Sequence, residues 1–144
     1  MLIRKMEEQD VSWVARVERE NFSMPWSEKA FTDSLKQEEA LFLVAEEEGN
    51  GLGYIGVYLS FEEGEITNVS VDGTQRNRGI GNALVEQLKK EAKERKVERI
   101  FLEVRVSNEP AIHLYEKQGF EKAGCWKNFY EKPREDAWVM MCSL

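Results

Sequence analysis

Apolar and polar residues follow two periods along this chain, and the changes between them mark its elements. Leu2 to Met6 reads as a short first strand. From Asp10, placed to cap it, a helix runs to about Asn21, with Val11, Val14, Ala15 and Val17 on one stripe. Pro25 breaks the chain, and Ser27 can cap a second helix from Glu28 to about Lys36, with Ala30, Phe31 and Leu35 inward. Leu41 to Glu46 reads as a strand. "EEGNGLG" (Glu47 to Gly53) has hairpin chemistry, centred on Asn50-Gly51. Tyr54 to Phe61 is the next strand, "EEG" a turn, and Glu65 to Asp72 a further strand. Gly79 to Lys96 is a strong helix: Ile80, Ala83, Leu84, Leu88 and Ala92 share one face. Arg99 to Val106 is a strand, followed by a short helix capped by Asn108 with Pro110 in its first turn. Strands near Phe120 to Trp126 and Ala137 to Ser143 close the chain.

A strand-helix-strand unit (65–106) therefore sits inside a mostly antiparallel set. That order predicts an α/β (α+β) fold: a single mixed, mostly antiparallel sheet of six to seven strands, with about four helices on both faces. The 144 residues suit one domain, 1–144, without repeat or linker.

Charge narrows the partners. Lys and Arg number 20 against 27 Asp and Glu, a net charge of −7 that argues against a nucleic-acid partner and suits a cationic one. The longest apolar run, Tyr54 to Phe61, is too short to span a bilayer, so no membrane role is expected. The charged start "MLIRKMEEQD" has no apolar signal core, which points to the cytoplasm. Cys125 and Cys142 lack CxxC spacing, so neither a disulfide scaffold nor a metal site is expected.

Two glycine-rich stretches compete for attention. "GLGYIG" (Gly51 to Gly56) matches the dinucleotide pattern GxGxxG by letter, but a strand follows it where that motif requires a helix. "QRNRGIGNAL" (Gln75 to Leu84) has a strand before it and the long helix after it. Gly79 and Gly81 let backbone approach a bulky anion, the first helical N–H groups are unpaired, and the dipole adds positive character. Arg76 and Arg78 add planar donors, so the stretch is a phosphate-site candidate; a plain helix start is the alternative.

"RNRGIG" resembles the R/Q-x-x-G-x-G/A loop of the GCN5-related N-acetyltransferase (GNAT) superfamily, and further matches cover nearly the whole chain. "NVSVD" is similar to that family's bulged fourth strand, and "FLEVRVSNEPAIHLYEKQGF" to its fifth strand and following helix. Within the family, "PWSEKAF", "LEVRVSN", "LYEKQGF" and "NFYEKPREDA" resemble the RimI-type enzymes, which acetylate the N-terminal α-amine of a ribosomal protein.

The resemblance implies a GNAT fold with acetyl-CoA as co-substrate and no metal. Arg76, Asn77, Arg78, Gly79, Ile80, Gly81 and Asn82 would bind the pyrophosphate. Val69, Ser70 and Val71 would pair with pantetheine through the backbone, and Asn108 through its amide. Ser70 replaces a small apolar residue of many relatives, a change a backbone contact tolerates. Glu103 would be the general base and Tyr115 the acid for the departing thiolate. Trp26 and Tyr130 would stand at the acceptor groove, with Phe129 nearby.

The residues by themselves leave alternatives at the catalytic positions. Glu103 lies in an apolar strand, where a charge is costly unless wet, paired or functional, and an ion pair with Arg105 would serve. Tyr115 at helical spacing could be simple core. His113, the only histidine, has no G-x-S-x-G elbow to serve. The acceptor expected is a protein N-terminus, most simply the N-terminal alanine of a small-subunit ribosomal protein. A lysine or small polyamine is the alternative acceptor, and a non-catalytic acyl-CoA-binding module the alternative class. The presence of both Glu103 and Tyr115 favours an enzyme, and thiol release from acetyl-CoA separates the two.

Overall fold

In the computed structural model, which describes residues 1–144, every strand joins one seven-stranded sheet in the order β1-β2-β3-β4-β5-β7-β6. The strands are β1 (Leu2–Lys5), β2 (Ala40–Glu47), β3 (Asn50–Ser60), β4 (Glu63–Val71), β5 (Arg99–Arg105), β6 (Glu121–Glu131) and β7 (Arg134–Ser143). The helices are α1 (Val11–Asn21), α2 (Glu28–Leu35), α3 (Ile80–Glu94) and α4 (Glu109–Lys117). Only β4 and β5 run parallel, because α3 crosses between them. No helix is long and apolar enough to cross a membrane.

Alternation in the central strands divides the core in two. Leu41 and Leu43 of β2, Ile55 and Val57 of β3, and Ile100 and Leu102 of β5 pack with Ile80, Leu84 and Leu88 of α3 and Ile112 of α4. Phe42, Val44 and Tyr54 face the other way, against Val14 and Val17 of α1 and Phe31 of α2. Burial on both faces explains the unbroken apolar run of β2.

Local chemistry misplaces one turn. The β2–β3 hairpin turns at Glu48 (φ 52°) and Gly49 (φ 80°), the mirror-image pair a two-residue hairpin favours, and Asn50 already pairs with Glu47. Asn50-Gly51 is thus strand, not turn centre. Packing claims Gly51 instead: a Cβ there would stand 2.4 Å from the Trp13 ring, and one at Gly56 2.3 Å from Phe42. The glycines of "GLGYIG" make room for aromatic rings, consistent with rejecting a nucleotide loop. Asp10 also departs from expectation. Its carboxylate does not cap α1 but accepts from Arg4 (2.7 and 2.9 Å), the Glu7 N–H (2.8 Å) and Trp13 (3.3 Å), because a 3-10 turn feeds directly into the helix.

The β6–β7 hairpin is longer than the apolar pattern suggests. β6 is an edge strand exposed along nearly its whole length, so it carries no alternation to read.

The feature that positions the site is the short β4–β5 ladder. It holds three pairs, Glu63↔Arg99, Gly64↔Ile100 and Glu65↔Phe101, and then stops. Just beyond, Thr67 is an extra residue in β4: Val57 pairs with Ile66, but Gly56 with Asn68. The strands separate there and leave a V-shaped cleft.

Candidate active site

The cleft encloses about 340 Å³ and is walled by Val69 of β4, Glu103 of β5, Asn108 and Tyr115 at α4, Trp26 beside α2 and Tyr130 of β6. Six expected site residues from five parts of the chain thus meet at one opening. Past Glu65, β4 pairs only with β3, through Ile55↔Val69, Tyr54↔Ser70 and Gly53↔Val71. The other edge of Val69 to Val71 has no strand partner, and there the Val71 carbonyl accepts from Asn21 Nδ2 (3.0 Å). Ser70 adds a side-chain role, since its hydroxyl accepts from Asn21 Nδ2.

Gly79 is the N-cap of α3 with φ +76°, a conformation that favours glycine, and Asn77 also has positive φ (64°). Ser27 caps α2 through the Ala30 N–H (3.1 Å) and Asn108 caps α4 through Ala111 N–H (3.3 Å), but no side chain covers the start of α3. Its first amides, from Ile80 to Asn82, are open to an anion. A side chain at Gly81 would press on Leu114 of α4 at 2.7 Å, so this glycine also lets the two helices approach. The arginines are turned aside: Arg76 donates to Asn21 (2.7 Å), and Arg78 to both oxygens of Glu47 (2.8 and 3.0 Å). These exposed contacts are weak enough to exchange for a phosphate. The open amides and cationic rim fit the pyrophosphate of acetyl-CoA.

Glu103 is half-buried on the α1/α2 side of β5, with Phe101 and Arg105 on the same side. The ion pair with Arg105 does not form. Arg105 binds Glu135 (3.1 Å) and the Pro133 carbonyl (2.9 Å), and its guanidinium lies 4.3 Å from the Tyr130 ring centroid. Burial, followed by a hydrogen bond and repulsion from the Glu65 carboxylate, pushes Glu103 up to about 7.

Tyr115 is buried against Phe120 (5.7 Å between centroids), so the core role is present as well. Its hydroxyl has no partner in the protein yet is not sealed, since Asn68 Oδ1 is the sole buried side-chain polar atom left without one. Burial, then Tyr130, raises Tyr115 well above the ordinary phenol value, so it keeps its proton at neutral pH. In Asn108 the oxygen is committed to the helix cap, which leaves Nδ2 for a ligand carbonyl. Trp26 both borders the cleft and packs on Phe31 and Phe42, at 5.3 and 6.0 Å. His113 is exposed outside the cleft.

Two carboxylates escaped the sequence reading. Glu65 is one of several acidic residues in "EEGEI", and only the parallel register brings it beside Glu103. Glu18 is 3% exposed and borders the cleft floor, accepting from Tyr54 OH (2.6 Å), Trp26 N–H (3.0 Å) and Asn68 Nδ2 (3.5 Å). Its signal was available: position 18 lies four residues from Val14 and seven from Val11, on the buried stripe.

Comparison with known proteins places this geometry. Residues 11–120 match the model of the acetyltransferase (GNAT) family. The chain is 34% identical to the ribosomal protein bS18-alanine N-acetyltransferase of Escherichia coli K12 over 140 residues, covering 96% of this chain and 94% of that protein. It is 33% identical to an N-alpha-acetyltransferase of Sulfurisphaera tokodaii, covering 99% and 92%. The crystal structure of the Escherichia coli ribosomal-protein-S18-alanine N-acetyltransferase superposes with a TM-score of 0.91 at 33% identity, over 99% of this chain and 92% of that one.

Proposed function

This chain belongs to the acetyltransferase (GNAT) family and is an acetyl-CoA-dependent N-acetyltransferase, and from that premise we propose that it acetylates the N-terminal α-amine of a protein, with the N-terminal alanine of a small-subunit ribosomal protein as acceptor. The names of its relatives support that acceptor. The observation that carries the catalytic reading is Glu103, a half-buried carboxylate without a cationic partner at the vertex of the cleft that Tyr115 also lines.

Acetyl-CoA supplies an activated acyl group. The chain's residues hold it and manage two protons. Amides of Gly79 to Asn82, rimmed by Arg76, Asn77 and Arg78, take the pyrophosphate. The free edge of Val69, Ser70 and Val71 and the amide of Asn108 take pantetheine. Trp26 and Tyr130 flank the acceptor. The amine must lose a proton to attack, and an α-amine titrates near ~7.7–8.0. Against a Glu at its ordinary ~4.3 the transfer costs about 5 kcal/mol; against Glu103 near 7 the gap is about one unit, or roughly 1.4 kcal/mol. As the new C–N bond forms and the C–S bond breaks, Tyr115 gives its proton to sulfur, and the second proton shed by the amine nitrogen restores the Tyr115 phenol. The same dry surroundings that hold the phenol protonated also raise the basicity of a thiolate.

The test is thiol release from acetyl-CoA with three acceptors: a peptide with free N-terminal alanine, an N-terminally blocked lysine peptide, and spermidine. The proposal expects the highest kcat/KM for the alanine peptide. Faster turnover of the blocked peptide or of spermidine overturns the acceptor assignment.

A further inference from the structure

We propose that Glu65 is a positioning residue for the reaction: its carboxyl and that of Glu103 form a pair at the cleft vertex that holds one proton between them. The inference rests on the reading of Glu103 as base, and it starts from register. Glu65 pairs with Phe101 in the last rung of the parallel ladder, and cross-strand partners point to the same side of a sheet. Glu103, two residues beyond Phe101, points to that side too. Glu65 is therefore the last residue of β4 paired with β5, Glu103 is the next same-side residue of β5, and the strands part immediately beyond them. Their carboxyls are within hydrogen-bonding reach, and both are half-buried.

Two carboxylates in such contact cannot both ionise cheaply, so Glu103 holds a proton more tightly beside Glu65. The groups around them offer no relief. From β3, Tyr58 stands opposite Glu65, but its hydroxyl is tied to Ser34. From β5 itself, Arg105 is held by Glu135 of β7. From β6 and α4 come the phenols of Tyr130 and Tyr115, both raised by burial. From α1, Glu18 is already supplied with donors. β7 otherwise presents Val139 and Met141 opposite Glu103 and Phe101. A shared proton is the remaining way to lower the charge. The pair acts as base when it is without that proton: an α-ammonium then gives its proton to Glu103 beside the Glu65 carboxylate, and the proton leaves to solvent once the amide product departs.

The test is a carboxyl NMR titration of the full chain with labelled glutamate, the Glu103 signal being identified by its absence in Glu103→Gln. In the wild-type protein that signal should titrate near 7, and in Glu65→Gln it should move acidward by about one unit or more. The acidic limb of kcat should move with it. An unchanged Glu103 midpoint in Glu65→Gln overturns the pair. The titration does not depend on turnover, so the two readings fail separately. Wild-type transfer by Glu103→Gln would remove the base; an inactive Glu103→Gln with an unmoved Glu65→Gln titration would remove only the pair.

Discussion

Glu18 and Glu103 both border the cleft from the α1/α2 side of the sheet, and their surroundings make them opposites. Glu18 is the deeper of the two, yet its neighbours are donors: a phenol, a backbone N–H and a side-chain amide. Glu103 is shallower, and the polar group that acts on it is another acceptor, Glu65. Depth alone would nominate Glu18 as base. A carboxylate surrounded by donors is a strut, here tying the α1–α2 connection to β3 and β4. One left facing an acceptor is a group ready to take a proton.

The largest expected effect falls on Glu103. Glu103→Gln should lower kcat by about 10²–10⁴-fold, the usual worth of a general base, with acetyl-CoA affinity within a few-fold of wild type by calorimetry. Glu18→Ala should act on stability instead. Tyr54 OH and the Trp26 N–H lose their acceptor, so chemical denaturation should report a loss of about 2–4 kcal/mol. A Glu18→Ala protein of full stability would erase the contrast. Tyr115→Phe keeps the ring on Phe120 and removes the proton; kcat should fall about 10²-fold with thermal stability nearly unchanged.

The smallest effect is a pH dependence of stability. The folded value of Glu103, near 7, lies above its unfolded one, so the fold binds the extra proton in between. Its contribution is fully present below the unfolded value, about 4.5, and is lost as pH rises through 7. Glu103→Gln should therefore match the wild type near pH 4.5 and exceed it at pH 8, by about 1 kcal/mol once partial exposure is discounted. Melting curves at the two pH values measure it.

The same contrast separates what the sequence carried from what it did not. Glu103, Tyr115, Asn108 and the Gly79–Gly81 loop lie in contiguous stretches whose resemblance to the GNAT family singled them out, while residue chemistry alone left Glu103 and Tyr115 open to an ion pair and a core role. Glu65 could not be found this way, because its meaning depends on a ladder between strands 36 residues apart, ended by a bulge at Thr67. Glu18 was visible as a charge on an apolar stripe, but its donors come from β3, β4 and the chain before α2. The hairpin turn was misplaced because Asn50-Gly51 has ideal turn chemistry, while the indole of Trp13 needs Gly51 flat beneath it. β6 ran longer than its sequence suggested since an exposed edge strand has no buried face to mark it.

The central claim, that Glu103 takes the amine's proton, is tested most directly by single-turnover transfer to an N-terminal alanine peptide between pH 5.5 and 9, at saturating acetyl-CoA. The wild-type rate should rise with a limb near 7, and Glu103→Gln should retain only a slow rate that follows the amine's own ~7.7–8.0. A Glu103→Gln enzyme with the wild-type rate and the wild-type limb would contradict the account.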